Sequence, residues 1–108
     1  MGHDTYDCNK GCPVEATLEL IGGKWKGVIL YHLLERTYRF GELKRIMPGV
    51  TQRMLTKQLR ELENDGIINR KVYAQVPPKV EYSVTEVGES LRDIIMLMCK
   101  WGQEHFDL

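Results

Sequence analysis

Five of the six polar residues between positions 52 and 60 have side chains that should lie together and can hydrogen-bond to nucleic acid. Arginine and glutamine can each make two parallel hydrogen bonds to the edge of a base, and lysine or arginine can neutralise a phosphate. On a helical wheel with Leu55 at the origin, about 100° per residue places Arg53 near 160° and keeps Leu59 and Leu62 within about 40°. The cations should therefore lie opposite a buried leucine stripe. The five residues are Gln52, Arg53, Thr56, Lys57 and Arg60.

Their order along the helix predicts separate roles. Gln52 and Arg53 lie at the N-terminal end, where we predict contacts with bases in the major groove. Lys57 and Arg60 are predicted to contact phosphates, and Thr51 can offer its hydroxyl and backbone N–H to another phosphate. Further cations that precede this helix could clamp the DNA backbone: Arg39, Lys44 and Arg45.

The basic helix is the second helix of a predicted helix-turn-helix. Residues 40–46 predict the first helix, and Pro48-Gly49 predicts the turn. Thr51 is a good N-cap for the second helix, which should run over residues 51–65 until Gly66 stops it. The helix-turn-helix is the unit that usually places its second helix in the major groove of DNA.

A two-stranded wing should follow this motif. Residues 67–73 and 80–84 are rich in β-branched and aromatic residues, and residues 74–78 form the predicted loop between the two strands. Lys79 should lie at the tip of the wing with Gln75 nearby, where such side chains contact phosphates or the minor groove. The wing completes a winged helix-turn-helix.

Apolar spacing predicts helices on both sides of this unit. Cys12 and Pro13 open the first helix, and Gly22-Gly23 ends it. A second helix should cover residues 24–35, and Thr85 should cap a single last helix. The predicted inner residues are Trp25, Val28, Ile29, His32 and Leu33 in the second helix and Phe40, Leu43 and Ile46 before the turn. The last helix carries a coiled-coil-like apolar stripe made of Val87, Leu91, Ile94, Met98 and Trp101.

Positive charge is concentrated in one part of a neutral chain. The 108 residues have a formal net charge of zero, but residues 39–60 contain six basic residues and one acid, which gives +5. Residues 86–108 contain five acids and two bases, which gives −3. This pattern is typical of a DNA-binding domain with an acidic dimerisation side, and an ordinary solvated helix face is the alternative.

Length and cysteine content narrow the class of protein. A chain of 108 residues suits one domain. It contains no run of the roughly 18 apolar residues that a membrane span needs, and its N-terminus lacks the apolar core of a signal peptide. An odd number of cysteines, three, argues against a secreted disulfide framework and favours the reducing cytoplasm.

Four sequence strings, taken together and in this order, resemble the HxlR family of small bacterial transcription regulators, which are related to the MarR type. The resemblance covers nearly everything from Cys12 to Trp101. The strings are Gly22-Gly23-Lys24-Trp25, Thr51-Gln52-Arg53-Met54-Leu55, Gln58-Leu59-Arg60-Glu61-Leu62-Glu63 and Pro77-Pro78-Lys79-Val80-Glu81-Tyr82-Ser83-Val84-Thr85-Glu86.

The resemblance implies a mainly α fold with a small β-wing (α+β), in which N- and C-terminal helices dimerise. Residues 1–11 are polar and are expected to form a flexible N-terminal arm, and residues 12–108 would form the DNA-binding and dimerisation domain. The implied function is that of a homodimeric, sequence-specific regulator, most simply a repressor, on a palindromic double-stranded DNA operator. No cofactor and no membrane partner are implied.

The last helix should supply the dimer interface that the resemblance implies. It carries more apolar surface than one face of a small core needs. The alternative is that this helix only completes the core of its own subunit. The predicted interface residues are Leu91, Ile94, Ile95, Leu97, Met98 and Trp101.

Cys12 is the candidate sensor of an oxidant or electrophile. A thiol at a helix N-terminus has a lowered pKa because the helix dipole favours the thiolate, and Lys10 is close in sequence. Some members of the family sense oxidants at a cysteine before this proline, and Cys8 could resolve a sulfenic acid on Cys12. A helix cap without a redox role is an equal alternative. Cys99 is expected to be a buried apolar residue.

Other functions receive less support from the sequence. Cys8, Cys12 and His3 could bind a metal, but their spacing matches no strong zinc pattern. Gly22-Gly23-Lys24 lacks the remainder of a phosphate-binding loop, and no hydrolase or metalloprotease motif is present, so we predict that the chain is not an enzyme. Control by a small-molecule effector and use of the winged helix in protein–protein contact remain open alternatives.

Overall fold

Residues 10–108, which this computed structural model describes, form six α-helices and one three-stranded sheet. The elements are α1 (Pro13–Ile21), α2 (Lys26–Glu35), β1 (Tyr38–Arg39), α3 (Phe40–Ile46), α4 (Gln52–Asn64), β2 (Ile68–Tyr73), β3 (Lys79–Val84), α5 (Glu86–Glu89) and α6 (Arg92–Phe106). Because α3, α4 and the β2–β3 hairpin follow in order, the predicted winged helix-turn-helix is confirmed.

The sheet is antiparallel, with β3 between β1 and β2. Tyr38 of β1 lies opposite Tyr82 of β3, and both side chains are buried against the core. On the other side of β3, Lys71 lies opposite Glu81 and Tyr73 lies opposite Lys79. Successive side chains of a strand point to opposite faces, so residues two apart share a face. Lys71, Tyr73, Lys79 and Glu81 therefore all lie on the outer face of the sheet, opposite the buried Tyr82.

Helix α2 lies at the centre of the fold, where it packs against α1, α4, α6 and β3. The predicted inner position of Val28 is wrong, because this side chain is 40% exposed. Leu30 and Leu34 are buried instead, together with the correctly predicted Ile29 and Leu33. A helix that is covered on several sides has no single apolar stripe. The spacing of apolar residues in α2 therefore predicted only some of its buried side chains.

The end of α3 also differs from the prediction. The side chain of Ile46 is 39% exposed, whereas Met47 is buried. Met47 is the C-cap residue and has left the helical conformation, with φ −118° and ψ 76°. The change in backbone direction therefore turns Met47, and not Ile46, towards the core beside Leu43.

The predicted single last helix is two helices. The hydroxyl of Thr85 accepts a hydrogen bond from the backbone N–H of Gly88 (3.1 Å), so Thr85 caps the short helix α5. Helix α6 starts afresh at Arg92, whose side chain donates to the carbonyl oxygen of Leu34 (2.9 Å). Because the stripe is interrupted, Val87 is exposed and does not continue the apolar face of α6.

Gly88 allows α5 to pack closely against the start of the wing. A Cβ atom at this position would lie 2.3 Å from the carbonyl oxygen of Ile67 and 3.2 Å from the Cβ of Val84. We expect Gly88→Ala to lower the free energy of unfolding by about 1–3 kcal/mol, because backbone must move to accommodate the methyl group. Urea denaturation followed by circular dichroism measures this change.

Gly41→Ala is the matched control for this substitution. Gly41 lies in α3, and a Cβ atom there would meet no atom within 4 Å among the described residues. The added methyl group should leave stability unchanged or raise it by up to about 1 kcal/mol. Equal stabilities for the two variants would show that α5 does not pack as described.

Candidate nucleic-acid interface

Helix α4 is positioned by its cap and by its leucines. The hydroxyl of Thr51 accepts a hydrogen bond from the backbone N–H of Met54 (3.0 Å), which confirms the predicted N-cap. Gly66 follows the helix with φ +75°, a conformation that favours glycine. Leu55, Leu59 and Leu62 are buried, so the leucine stripe faces the core as predicted.

The opposite face of α4 brings the predicted DNA-contacting residues together. Arg53, Lys57, Arg60 and Gln52 are exposed, while Thr56 is half-buried and donates its hydroxyl to the carbonyl oxygen of Gln52 (2.8 Å). These five residues line one shallow groove of about 560 Å³. The result is a contiguous surface of cations and hydrogen-bond donors, with chemistry suited to base edges and phosphates.

An ion pair ties α4 to the central helix. The Nζ atom of Lys26, at the start of α2, lies 2.7 Å from Oε1 of Glu61, and the lysine side chain is only 13% exposed. The hydrogen bond from Lys26 is the main reason why the pKa of Glu61 lies below the usual value of a glutamate. This contact ties α4 to α2 through a half-exposed carboxylate on the flank of α4, while Arg53, Lys57 and Arg60 stay exposed.

A second basic groove lies beside the start of α3. Arg39 and Arg45 line this groove of about 550 Å³ together with Arg36, which we did not predict, and with two acids, Glu42 and Glu81. The Arg36 guanidinium stacks 3.7 Å from the Tyr38 ring centroid and lies 3.6 Å from Oε2 of Glu42. The backbone N–H of Arg39 donates to the same carboxylate (2.8 Å), which is the main cause of a lowered Glu42 pKa. Lys44 is exposed on α3.

The predicted place of Lys79 at the wing tip is wrong. Lys79 is the first residue of β3 and lies opposite Tyr73, so it belongs to the base of the wing loop. Its Nζ atom lies 3.3 Å from Oε2 of Glu81, and its side chain is 24% exposed. Gln75 is exposed in the loop as expected. The sequence-based prediction overlooked two exposed cations of β2, Arg70 and Lys71. Charged residues are typical of an edge strand such as β2.

Two of the predicted dimer residues belong to the core of this chain. Leu91 is 9% exposed and Ile95 is 3% exposed, because both pack into the central hydrophobic cluster. These two side chains therefore complete the subunit itself. The remaining four residues form the outer apolar surface of α6 and are exposed: Ile94, Leu97, Met98 and Trp101.

An apolar groove of about 670 Å³ lies between α1, α2 and α6. The exposed side chains of Leu18, Val28 and Met98 line it, together with Tyr31 and Cys99. Cys99 is half-buried, and its hydrogen bond with Tyr31 is the main cause of a raised Tyr31 pKa, so it is not the fully buried apolar residue that we expected. Exposed apolar surface of this extent usually marks an interaction site.

Cys12 occupies the predicted N-cap position of α1. Its carbonyl oxygen accepts a hydrogen bond from the backbone N–H of Ala16 (2.9 Å), and Pro13 follows at the first helical position. The side chain is half-buried in a hollow of about 370 Å³ that Lys10 also lines, together with two acids, Glu15 and Glu19. Cys8 and His3, as well as most of the predicted arm 1–11, lie outside the described residues.

Within residues 10–108 no group of three or more His, Cys, Asp or Glu side chains is arranged to hold a metal ion. No helix of the same range is both long and apolar enough to cross a membrane.

The sequence of residues 20–108 matches the family model described as HxlR-like helix-turn-helix. The chain belongs to the HxlR family. It is 57% identical over 103 residues to YybR of Bacillus subtilis, an alignment that covers 95% of this chain and 82% of YybR. It is 63% identical over 94 residues to YtcD of the same organism, with 87% of this chain and 75% of YtcD covered.

Solved structures show the same relationship. The reduced form of the redox regulator HypR superposes with a TM-score of 0.86 at 58% identity, over 89% of this chain and 95% of HypR. The oxidised form gives 0.84 at 60% identity, over 87% and 97% of the two chains. YybR and YtcD are described as HTH-type transcriptional regulators. This HxlR protein is accordingly a transcriptional regulator of the helix-turn-helix type, and its relatives are not enzymes.

Proposed function

We propose that this protein is a homodimeric repressor that binds a palindromic operator and reads it with α4. The observation that carries this proposal is the exposed face of α4, where Gln52, Arg53, Thr56, Lys57 and Arg60 line one groove. Such a face can donate bidentate hydrogen bonds to bases from its N-terminal end and neutralise phosphates further along. We also propose that the protein acts in the cytoplasm, where its DNA lies.

Backbone contacts would flank the recognition helix. Thr51, the N-cap of α4, would offer its hydroxyl and backbone N–H to a phosphate. Arg39, Lys44 and Arg45 are exposed on or beside α3 and would contact phosphates there, with Arg36 as an added member of that group. Gln75 would contact DNA from the wing loop.

Titration of DNA from upstream of the protein's own gene tests this function. Labelled 40-bp duplexes tiled across that region should include one that binds much more tightly than a duplex of the same composition in shuffled order. Specific binding is typically about 10³-fold or more tighter than non-specific binding. Equal, weak binding of all duplexes would contradict sequence-specific recognition and would favour a winged helix used for protein–protein contact.

A dimer would bury the outer apolar surface of α6. Ile94, Leu97, Met98 and Trp101 are exposed there and continue towards the apolar groove beside α1. A two-fold dimer would present two copies of α4 to half-sites about one DNA turn, roughly 34–36 Å, apart. This spacing matches a palindromic operator.

Sedimentation velocity at micromolar concentration tests the dimer. The wild type should sediment as a dimer, and Leu97→Glu should sediment as a folded monomer because a charge replaces an apolar contact. Lys100→Glu, at another exposed position of α6, is the matched control and should remain dimeric. A wild-type monomer would remove this part of the proposal.

We propose further that oxidation at Cys12 controls DNA binding. Support comes from its place at the start of α1, from Lys10 in the same hollow, and from the similarity to HypR, which is described as a redox regulator. The oxidant withdraws two electrons and two protons from two thiols, which then share one disulfide bond. Cys8 of the N-terminal arm would supply the second thiol.

Diamide treatment tests this switch directly. Diamide itself is reduced to the hydrazine as it takes up the two hydrogens. We expect it to change the affinity of the wild type for the bound duplex at least several-fold, to leave Cys12→Ser unaffected, and to leave the control Cys99→Ser as responsive as the wild type. Binding that is insensitive to diamide would leave Cys12 as a helix cap, and a small-molecule effector would then be the better explanation of the signal.

A further inference from the structure

We propose that Glu81 restrains the DNA affinity of the wing by holding Lys79 away from phosphates, so that Lys71 makes the phosphate contact of the β2–β3 hairpin. This inference rests on the proposed DNA-binding function and adds a residue that tunes it. It replaces the expectation that Lys79 itself contacts DNA.

The four residues involved form one cluster on the outer face of the hairpin. Lys71 and Tyr73 come from β2, and Lys79 and Glu81 lie opposite them on β3. The Tyr73 hydroxyl donates to Oε1 of Glu81 (2.8 Å), and the Lys79 Nζ atom lies 3.3 Å from Oε2. Both oxygens of the carboxylate are therefore engaged within the cluster.

The two lysines differ in how much of their charge is available. The Nζ atoms of Lys71 and Lys79 lie 4.8 and 4.6 Å from the Tyr73 ring centroid, so both ammonium groups contact the ring. Lys79 is in addition paired with Glu81, and its side chain is 24% exposed. Lys71 is exposed on the edge strand, where a phosphate could approach it without displacing a carboxylate.

Glu81 is ionised at neutral pH, since the hydrogen bond from Tyr73, followed by the contact with Lys79, lowers its pKa. A phosphate that approached Lys79 would compete with this carboxylate and be repelled by it. The pair of Lys79 and Glu81 adds no net charge to the DNA-facing surface. Phosphate contacts supply the sequence-independent part of the affinity for DNA. An acid beside Lys79 therefore keeps this part of the affinity low.

The salt dependence of binding separates the two lysines. The probe is the 40-bp duplex from upstream of the protein's own gene that binds most tightly, titrated between about 50 and 200 mM KCl. Each neutralised phosphate contributes roughly 0.9 to the magnitude of the slope of log K against log salt. Lys71→Ala should reduce the magnitude of the slope by about one. Lys79→Ala should leave the slope at the wild-type value.

Glu81→Gln tests the restraint itself. Its amide oxygen can still accept the Tyr73 hydrogen bond, so the substitution removes the charge and keeps the shape. We expect a slope steeper by about one and an affinity at 100 mM salt that rises by roughly three- to tenfold, because Lys79 is released to a phosphate. Glu81→Gln combined with Lys79→Ala should return to the wild-type slope.

Glu104→Gln, an exposed acid on α6, is the control and should leave the slope unchanged. A slope that falls equally in Lys79→Ala and Lys71→Ala would overturn the inference, and so would Glu81→Gln with wild-type slope and affinity. These results leave the proposed function intact, because the wild type still binds specifically. Failure of the wild type to bind any promoter duplex would reject the proposed function and this inference together.

Discussion

Arg53→Ala should weaken binding to the operator by about 1–3 kcal/mol, which corresponds to roughly 5- to 150-fold in Kd. Arg53 is exposed in the first turn of α4, opposite the buried Leu55, and its guanidinium can make two hydrogen bonds to a guanine. Titrations against a set of duplexes with single base-pair changes should show relaxed specificity at one position in each half-site.

Two variants control for the loss of charge. Arg60→Ala should weaken binding to all these duplexes about equally, because phosphate contacts carry no sequence information. Lys100→Ala, on α6, should bind like the wild type. If Arg53→Ala retained wild-type affinity and specificity, α4 would have to be oriented on DNA differently from our account.

Leu55→Ala should lower the free energy of unfolding by about 2–5 kcal/mol. Leu55 has no exposed surface, so the truncated side chain leaves a cavity between α4 and the central cluster of the core. A chain of this size has a total stability of only about 5–15 kcal/mol. The loss should therefore be visible as a large decrease in the midpoint of urea denaturation, with DNA binding lost once the domain unfolds.

Leu108→Ala makes the same chemical change at a side chain that is 89% exposed. It should shift stability by no more than about 0.5 kcal/mol. Similar losses for the two variants would mean that the leucine stripe of α4 does not face the core.

The recognition helix could be predicted from sequence because its pattern is simple. Leu55, Leu59 and Leu62 recur at helical spacing, and Thr51 and Gly66 supply a cap and a stop, so local rules agree with the packing. The basic face of α4 was predicted from the same helical spacing. The wing was predicted from the β-rich residues 67–73 and 80–84, and the family resemblance agreed with this order of elements.

Other features depended on tertiary contacts that no local pattern records. Leu30 and Leu34 are buried because several elements surround α2, and Leu91 and Ile95 belong to the subunit core because α6 starts anew after α5. The pairing of Lys79 with Glu81 had a visible signal, since residues two apart on a strand share one face. For Arg36, no sequence signal other than its charge predicted that it would line the groove beside α3.

Hydroxyl-radical footprinting of the bound promoter duplex tests the central claim most directly, since it shows where a dimer places its two copies of α4. Our account predicts protection of the backbone on both sides of two major-groove segments, related by two-fold symmetry and centred about 10 bp apart. Arg53→Ala should weaken this pattern at concentrations close to the wild-type Kd. A single unsymmetrical patch, or uniform weak protection along the duplex, would contradict a homodimer that reads a palindrome with α4.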